Sequence, residues 1–540
     1  MTFLAREGAG VGLFLLFFLA PFEPRFTLPL GPIGLSLLES VAIPIFLFVL
    51  IEVARSPHRI SSPPLAIRAL ILFAIVALVS AMLAAENPAR AFKFALRLCA
   101  MTSLAALVAR LDEERILLAL RGLSVAGVMV AGLALAEGLG VRSLDVFLGA
   151  FREMPFNVAG VRRATGGSEY PNLGGAMLVY ALLSGLTLLK DRRVARVVLG
   201  VILTGGLAFT YSRGAWLAGL AGLIALALTE RGPGRFLPPV VYVALLGAFV
   251  GREEISQLRL GAENANDFYA AAYVVPEEYV FAGSERALVP VTVTNIGQKP
   301  WRVAEQFHLG YHLYETAGRP LLEGPRTDLP RDILQGESIT IQAEVRVPAK
   351  AGRYLVLWDL VHEDTTWFSG QGVRPGVVRL VVGRPLKDDI VVVQDEAVRQ
   401  IPDSLAWRPS RIELWRIAAR LWAQHPFLGV GPDNFRWRYG TVVGKTAFDT
   451  RVFANNLFFE LAATLGTLGL ATFLSAVGFA LWSGYAGAPN SMSARAAFVL
   501  LVAMTVHGLA DYLFAFTGHY LVLGLALGAA ARPASSATER

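Results

Sequence analysis

Lys93 and Arg97 lie one helical turn apart within an apolar run, so a helix there presents two cations on one face. Fixed positive charges at that spacing suit a diphosphate. The competing reading is that Lys93 snorkels to the outer interface while Arg97 pairs with a carboxylate such as Glu39 or Glu137. Arg213, in FTYSRGAWLAG, falls between two apolar runs that nearly touch, and its five guanidinium donors fit a phosphate in bidentate fashion. Another apolar run opens, at 454–469, with two adjacent amides in ANNLFFELAATLGTLG, Asn455 and Asn456. His507 and Asp511, four residues apart, share a helix face either as a structural hydrogen-bonded pair or as a proton relay. A charge inside a membrane span costs about 2.5–3.5 kcal/mol on insertion scales, so each of these residues is weighed for function first.

The elements that position them follow from composition. The 540-residue chain is 54% hydrophobic and 17% charged, with mean hydropathy +0.52. Those values predict a polytopic membrane protein. Apolar runs long enough for about 30 Å of hydrocarbon recur at 8–22, 34–54, 65–85, 91–111, 116–138, 173–190, 194–211, 213–229, 236–251, 456–483, 493–512 and 518–532, roughly twelve spans. Arg55, His58, Arg59, Lys190, Arg192, Arg193, Arg196, Arg231 and Arg235 share one side if the N-terminus is cytoplasmic. That orientation places 139–172 and 252–455 outside and returns Arg532 and Arg540 to the cytoplasm. No small-x-small cleavage site follows GLFLLFFLAPFEP, so the first run reads as a retained anchor. The single Cys99 excludes an intramolecular disulfide. A net charge of +7 is ordinary for positive cytoplasmic loops, and no basic stripe interleaved with aromatics points to nucleic acid.

Between the ninth and tenth runs the pattern changes to period-two alternation, in VPVTVTN, HLGYHLYE, SITIQAEVRV, RYLVLWDLVHE and VVRLVVG. Alternation broken by turn residues predicts half-buried strands in a β-sandwich. The chain therefore divides into helices over 1–251, a sandwich over 265–385, a helical and loop segment over 386–455, and helices again over 456–540. The sandwich resembles the immunoglobulin-like modules found beside bacterial carbohydrate enzymes, and Trp301, Trp358 and Trp367 serve either its core or a sugar-stacking surface. Ser410 and Glu413 form a capping box for RIELWRIAARLWAQ, with Ile412, Trp415, Ala419 and Trp422 near one face of a helix on the membrane surface. HPFLGVGPDNF, beginning at His425, then makes an irregular turn that would roof a cavity.

The amide-led segment resembles the signature of the bacterial O-antigen ligase and polymerase superfamily, in which a histidine and an amide precede nine residues, a glycine, two residues and a glycine. Asn456, Gly466 and Gly469 fit that spacing, and Asn455 stands where the family's ligases carry the histidine. SRGAW around Arg213 and RRATGGSEYPN are further motifs of the resemblance, with Arg163 and Asn172 at recurrent family positions. The family also places an arginine ahead of its P-x-x-G-x-G turn and implicates it in holding a lipid pyrophosphate. Arg411 is the candidate, with Arg416 and Arg420 as competitors.

What the resemblance implies is an α-helical polytopic protein of the bacterial inner membrane, with an inserted immunoglobulin-like sandwich in the periplasm. Its expected activity is transfer of a saccharide from an undecaprenyl-pyrophosphate carrier to a hydroxyl acceptor, lipid-linked or otherwise. Arg213, Arg411 and Asn455 would be catalytic, and Lys93, Arg97, Arg163, Asn172, Asn456 and His425 would bind substrate. The expected chemistry needs no cofactor and no metal: the sequence holds no acidic pair at metal spacing and no phosphate-cradling glycine loop. The family histidine acts as a base, which an amide cannot do at neutral pH. Orientation and arginines then suffice, or His425, Glu169 or Glu460 supplies the base, or catalysis is lost. Polymerisation of polysaccharide repeat units is the alternative enzyme reading, and a non-catalytic assembly scaffold or lipid-glycan transporter the alternative outside enzymes.

Overall fold

In the computed structural model the described residues are 2–30, 33–55, 62–84, 86–152, 156–158, 161–250, 269–281, 286–316, 320–363, 366–369, 373–383, 409–444, 450 and 452–532. His58, Arg59, Arg540 and the flanks of the expected sandwich at 251–268 and 384–408 lie outside them.

Every apolar run forms a helix. The first set is α1 (Thr2–Leu19), α2 (Leu37–Arg55), α3 (Leu65–Met82), α4 (Pro88–Val108), α5 (Glu113–Gly138), the short α6 (Leu144–Leu148), α7 (Pro171–Leu188), α8 (Arg193–Phe209), α9 (Arg213–Thr229) and α10 (Leu237–Val250). The second is α11 (Arg411–Gln424), the single-turn α12 (Phe435–Arg438), α13 (Leu457–Gly487), α14 (Met492–Gly508) and α15 (Thr517–Ala531). By length and composition, five helices are able to cross a membrane: α3, α4, α5, α7 and α13. In the other helices the apolar stretches are shorter, as in Gly8–Leu19 of α1 and Leu37–Ile51 of α2. One continuous apolar core joins α1 to α5 and α7 to α10 with α13, α14 and α15. Large apolar side chains such as Leu72, Met129, Leu217 and Trp482 remain exposed on the outer helix faces, which is costly in water and expected against lipid.

Local chemistry sets the helix starts. Asn87 accepts from Arg90 N–H at 3.2 Å with Pro88 in the first turn, Asp112 accepts from Arg115 N–H at 3.0 Å, and Ser491 accepts from Ala494 N–H at 3.1 Å. Each side chain satisfies a donor that the helix itself leaves without a partner.

The strands begin with a hairpin of β1 (Thr27–Leu30) and β2 (Ile33–Ser36) and a two-residue ladder of β3 (Asn157–Val158) and β4 (Val161–Arg162). A separate β region follows: β5 (Ala271–Val274), β6 (Glu278–Phe281), β7 (Arg286–Asn295), β8 (Phe307–Glu315), β9 (Pro320–Glu323), β10 (Thr327–Asp328), β11 (Ser338–Arg346), β12 (Gly352–His362), β13 (Thr366–Trp367) and β14 (Gly376–Val382). Its smaller sheet has the order β11–β7–β5, its larger one β10–β8–β12–β14–β6, with β9 on β8 and β13 on β12. The alternation in β7 places Val289, Val291 and Val293 in a core shared with Trp301, Tyr311 and Trp358. β12 departs from the expected half-burial: it is the strand between β8 and β14, and both of its faces are buried from Tyr354 to His362. Trp301 and Trp358 are fully buried and so belong to the core, not to a sugar-stacking surface. Trp367 alone of the three is partly accessible, beneath the Arg326 guanidinium at 4.4 Å.

Candidate active site

The amide-led helix is broken. α13 reads as one helix, but Gly466 has φ +66° and ψ −168°, and the chain kinks there. In an unbroken helix the N–H groups of Thr467 and Leu468 would donate to the carbonyls of Ala463 and Thr464. Instead they donate to Pro426 and Phe427 at 2.7 and 3.3 Å, while Val430 and Gly431 N–H donate to Ala463 and Thr464 at 3.0 Å each. Two helical bonds are replaced by four from the HPFLGVG turn. Ser80 Oγ adds bonds to the Leu428 and Thr464 carbonyls at 2.6 and 3.1 Å. Irregular backbone at membrane depth is tolerated when protein satisfies it in this way.

Glycine is required on both sides of that junction. A Cβ on Gly466 would stand 2.3 Å from the Phe427 carbonyl carbon, and one on Gly429, with φ +68°, 2.2 Å from that of Thr464. The signature glycine and the preceding turn are thus one interlocked unit.

The two amides divide the work at the start of α13. Asn456 is the N-cap: its Oδ1 accepts from Phe458 and Phe459 N–H at 3.0 and 3.1 Å, and its Nδ2 donates to Leu509 O at 2.8 Å. The structure uses this side chain to anchor the helix, where a substrate contact was expected. Asn455 has φ +51°, a left-handed conformation in which asparagine and histidine are both enriched. Its half-buried side chain makes no hydrogen bond among the described residues. Behind them, Glu460 is fully buried and accepts from Ala454 N–H at 2.7 Å, and its second oxygen has no donor among the described residues.

Arginines gather at the same end of the bundle. Arg163 donates from Nε to the Thr210 carbonyl at the end of α8, 3.0 Å, and from Nη2 to Asn172 Oδ1, 2.9 Å, and its guanidinium lies over Phe156 at 5.6 Å. Asn172 passes the link on, donating to Asp511 Oδ2 at 2.8 Å. Burial and the charge of Arg411, opposed by Asp511 and reinforced by Arg213, push Arg163 down to about 10, so it stays charged at neutral pH. Arg213 and Arg411 each occupy the first position of a helix, α9 and α11, are exposed, and have no hydrogen-bond or ion-pair partner among the described residues. A cation at a helix N-terminus adds to the positive end of the dipole. Three guanidinium groups and two helix starts, against the one carboxylate of Asp511, therefore leave a net positive site, and an anion would relieve it.

Lys93 and Arg97 are placed differently. Arg97 donates from Nε to Glu39 at 2.6 Å and from Nη1 to Ala515 O at 2.9 Å, and Lys93 binds the Gly34 carbonyl and stands 3.9 Å from Glu39. Arg97 also lines a cavity of about 220 Å³ with Glu23, Arg25, Ser168, Glu169 and His519. Of the two carboxylates named from sequence, Glu39 takes Arg97, and Glu137 instead accepts from Arg152 and from Thr165 N–H at 2.8 Å, fixing the loop that carries Arg163.

The expected surface face of α11 is rotated. Leu414, Ile417, Ala418 and Leu421 pack inward against Val430, Phe435 and Tyr439, while Ile412 is 59% exposed. The helix is clamped to the turn and α13: Trp415 stacks on Phe459 at 5.7 Å, and Trp422 Nε1 donates to Thr467 Oγ1 at 3.1 Å. The serine half of the expected capping box is present, with Ser410 Oγ accepting from Glu413 N–H at 3.3 Å.

His425 ends α11 beside Arg438, whose Nη1 lies 3.3 Å from Nε2. A guanidinium only donates, so Nε2 accepts and the ring is neutral in this contact. Burial and Arg438 hold its pKa below the usual histidine value. Asp511 N–H donates to the His507 carbonyl at 3.0 Å, but among the described residues no side-chain hydrogen bond joins the two: the Asp511 carboxylate takes Asn172 and Tyr512 N–H, and His507 Nδ1 is buried without a partner. The relay geometry is absent. Gly214, next to Arg213, packs on the same ring, and a Cβ there would stand 3.4 Å from Nε2. Sequence spacing grouped Asp511 with His507 and missed its bond to Asn172, 339 residues away.

Apolar helices enclosing a broken helix and a cationic end define a polytopic helical membrane protein. A family model described as O-antigen ligase matches residues 389–474, the segment that holds α11, the turn and the first half of α13. The match supports the O-antigen ligase family and, with the apolar helices, indicates a bacterial membrane protein of glycan processing of the O-antigen ligase or polymerase type. No curated protein matches the chain. Among solved structures, the Pseudomonas fluorescens alkylpurine DNA glycosylase AlkC bound to DNA containing an abasic site analog is similar at 12% identity over 60% of this chain and 100% of that one, with a TM-score of 0.15. That score carries no information on fold.

Proposed function

We propose that the protein is an inner-membrane glycan transferase that moves a saccharide from an undecaprenyl-pyrophosphate carrier to a hydroxyl acceptor, with its reaction site facing the periplasm. The observation that carries this reading is the pair of guanidinium groups without a partner among the described residues, Arg213 and Arg411, set beside Arg163, with Arg411 inside the segment that the O-antigen ligase model matches.

The acceptor oxygen attacks the anomeric carbon, the bond from that carbon to the carrier diphosphate breaks, and the diphosphate departs with the electron pair. The hydroxyl proton leaves to water or to the departing diphosphate. Charge on the leaving group grows through the transition state, so guanidinium donors aimed at it stabilise the transition state more than the ground state. Arg163, held by Thr210 and Asn172, is the preorganised donor, and Arg213 and Arg411 are the ones free to close on the ligand. Asn455, unbonded and left-handed at the head of α13, is positioned to orient the acceptor. In this reading the β region is an immunoglobulin-like periplasmic module, and Arg97, held by Glu39 beside Lys93, presents its charge to the neighbouring cavity.

The test is transfer from a radiolabelled lipid-linked oligosaccharide by purified wild type, Asn455→Ala and Asn455→His. The reading expects wild-type turnover, with Asn455→Ala slower by about tenfold, the scale of one orienting hydrogen bond. An inert wild type that gains turnover as Asn455→His would show a chain retired from catalysis.

A further inference from the structure

α9 starts at Arg213 and ends at Thr229, so its far end lies roughly 25 Å from the arginine site, at 1.5 Å per residue. At that far end is a cavity of about 1000 Å³ between α7, α8, α9, α10 and the loop joining α13 to α14. Lys190, Arg193, Arg196, Arg231, Arg235 and Arg495 line it, against two carboxylates, Asp191 and Glu230, so six cations less two anions leave four positive charges in excess.

Internal pairing absorbs little of that charge. Glu230 takes Arg196 at 2.8 and 2.9 Å, and Arg235 lies over Phe236 at 4.7 Å. Lys190, Arg193 and Arg231 are exposed and have no ion-pair partner among the described residues. Arg495, in the first turn of α14, is only 9% exposed. Its Nη2 donates to the Ala488 carbonyl at 2.8 Å, yet its buried Nε has no acceptor among the described residues. A buried guanidinium donor left without an acceptor is unfavourable, and a phosphate oxygen would satisfy it. Behind the charges the walls turn apolar at Leu186, Leu223 and Val241.

We infer that this cavity binds a phosphate group, and that its apolar walls suit one carried on acyl chains, as in an anionic membrane lipid. Basic pockets between membrane helices are suited to such headgroups. The site uses none of the residues of the transferase reading and stands or falls apart from it.

Native mass spectrometry of the full chain in micelles doped with phosphatidylglycerol or phosphatidylcholine tests it, with inorganic pyrophosphate as competitor. The expected result is retained phosphatidylglycerol, at least tenfold less phosphatidylcholine, and about tenfold less phosphatidylglycerol in Arg193→Gln/Arg231→Gln and in Arg495→Gln. The double variant changes only exposed side chains, so it reports even if Arg495→Gln misfolds. Retention that resists pyrophosphate assigns the phosphate to lipid, and displacement by pyrophosphate assigns the same site to a soluble phosphate. Equal retention of both lipids, or unchanged retention in the double variant, overturns the proposal.

Discussion

Arg163 and Asp511 are joined through a single amide: Asn172 accepts from the guanidinium at 2.9 Å and donates to the carboxylate at 2.8 Å. The link ties the loop before α7 to the end of α14 and fixes the direction in which Arg163 can point. Asn172→Leu keeps the volume and removes both bonds. We expect kcat/KM to fall about tenfold and stability by about 1–3 kcal/mol, the cost of stranded buried polar groups. Turnover at sub-saturating donor and thermal unfolding measure the two effects, and no change in either would show the link to be incidental.

The interlock of turn and helix predicts a contrast within α13. Gly466→Ala places a Cβ 2.3 Å from Phe427 backbone and forces φ +66° on alanine, so it should cost at least about 2 kcal/mol. Gly478→Ala, in the same helix with nothing within 4 Å, should be neutral or stabilising by up to about 1 kcal/mol. Thermal unfolding in detergent separates them. Equal midpoints would mean that the junction relaxes freely.

Position 455 makes a conformational prediction independent of chemistry. At φ +51°, Asn455→His should fold within about 0.5 kcal/mol of wild type, whereas Asn455→Val should lose about 1–2 kcal/mol because a β-branched residue resists that region. The measurement is again the unfolding midpoint, with valine tolerated as well as histidine being the contrary outcome.

The β region carries two opposed titrations. Burial, with help from Lys299, pushes His362 down from 6.5 to about 4, so the unfolded chain takes up a proton that the folded one refuses, and stability is lost as pH falls from 6.5 toward 4. Burial pushes Asp359 up from 3.8 to about 6, so stability is lost as pH rises from 3.8 toward 6. Between pH 6.5 and 4.5 these nearly cancel, leaving wild type flat to within about 1 kcal/mol. Asp359→Asn removes the second effect, and its β12 should then lose about 2–3 kcal/mol over that interval, read by hydrogen exchange corrected for intrinsic rate. A flat variant would count against the His362 shift.

Much of this architecture is legible one segment at a time. Apolar runs of sufficient length became α1 to α5, α7 to α10 and α13 to α15, and the alternating runs around Val291 and Ile341 became β7 and β11, because burial periodicity is a local property. The break at Gly466 was not legible. An apolar run over 456–483 reads as continuous helix, and the donors that make the break affordable come from Val430 and Gly431, whose pairing with α13 is set by tertiary contact. The site shows the same division. Family spacing pointed to Arg163, Arg213 and Arg411, yet whether a cation is free or paired depends on distant partners, and so Arg97 proved to be held by Glu39 while Arg213 is free of a partner among the described residues. The inward face of α11 was misjudged because its tryptophans, read as the apolar stripe, are amphipathic and sit at the margin with Leu414 and Leu421 beneath.

In the proposed transferase, the guanidinium groups of a net positive site hold a departing diphosphate. Initial rates with a radiolabelled undecaprenyl-pyrophosphate oligosaccharide, for wild type, Arg213→Ala and Arg411→Ala, test it most directly. Wild type should transfer, and the rate should fall about 10²-fold in each variant, the scale of losing one donor to a charged transition state. Undiminished transfer in Arg213→Ala and Arg411→Ala would contradict it.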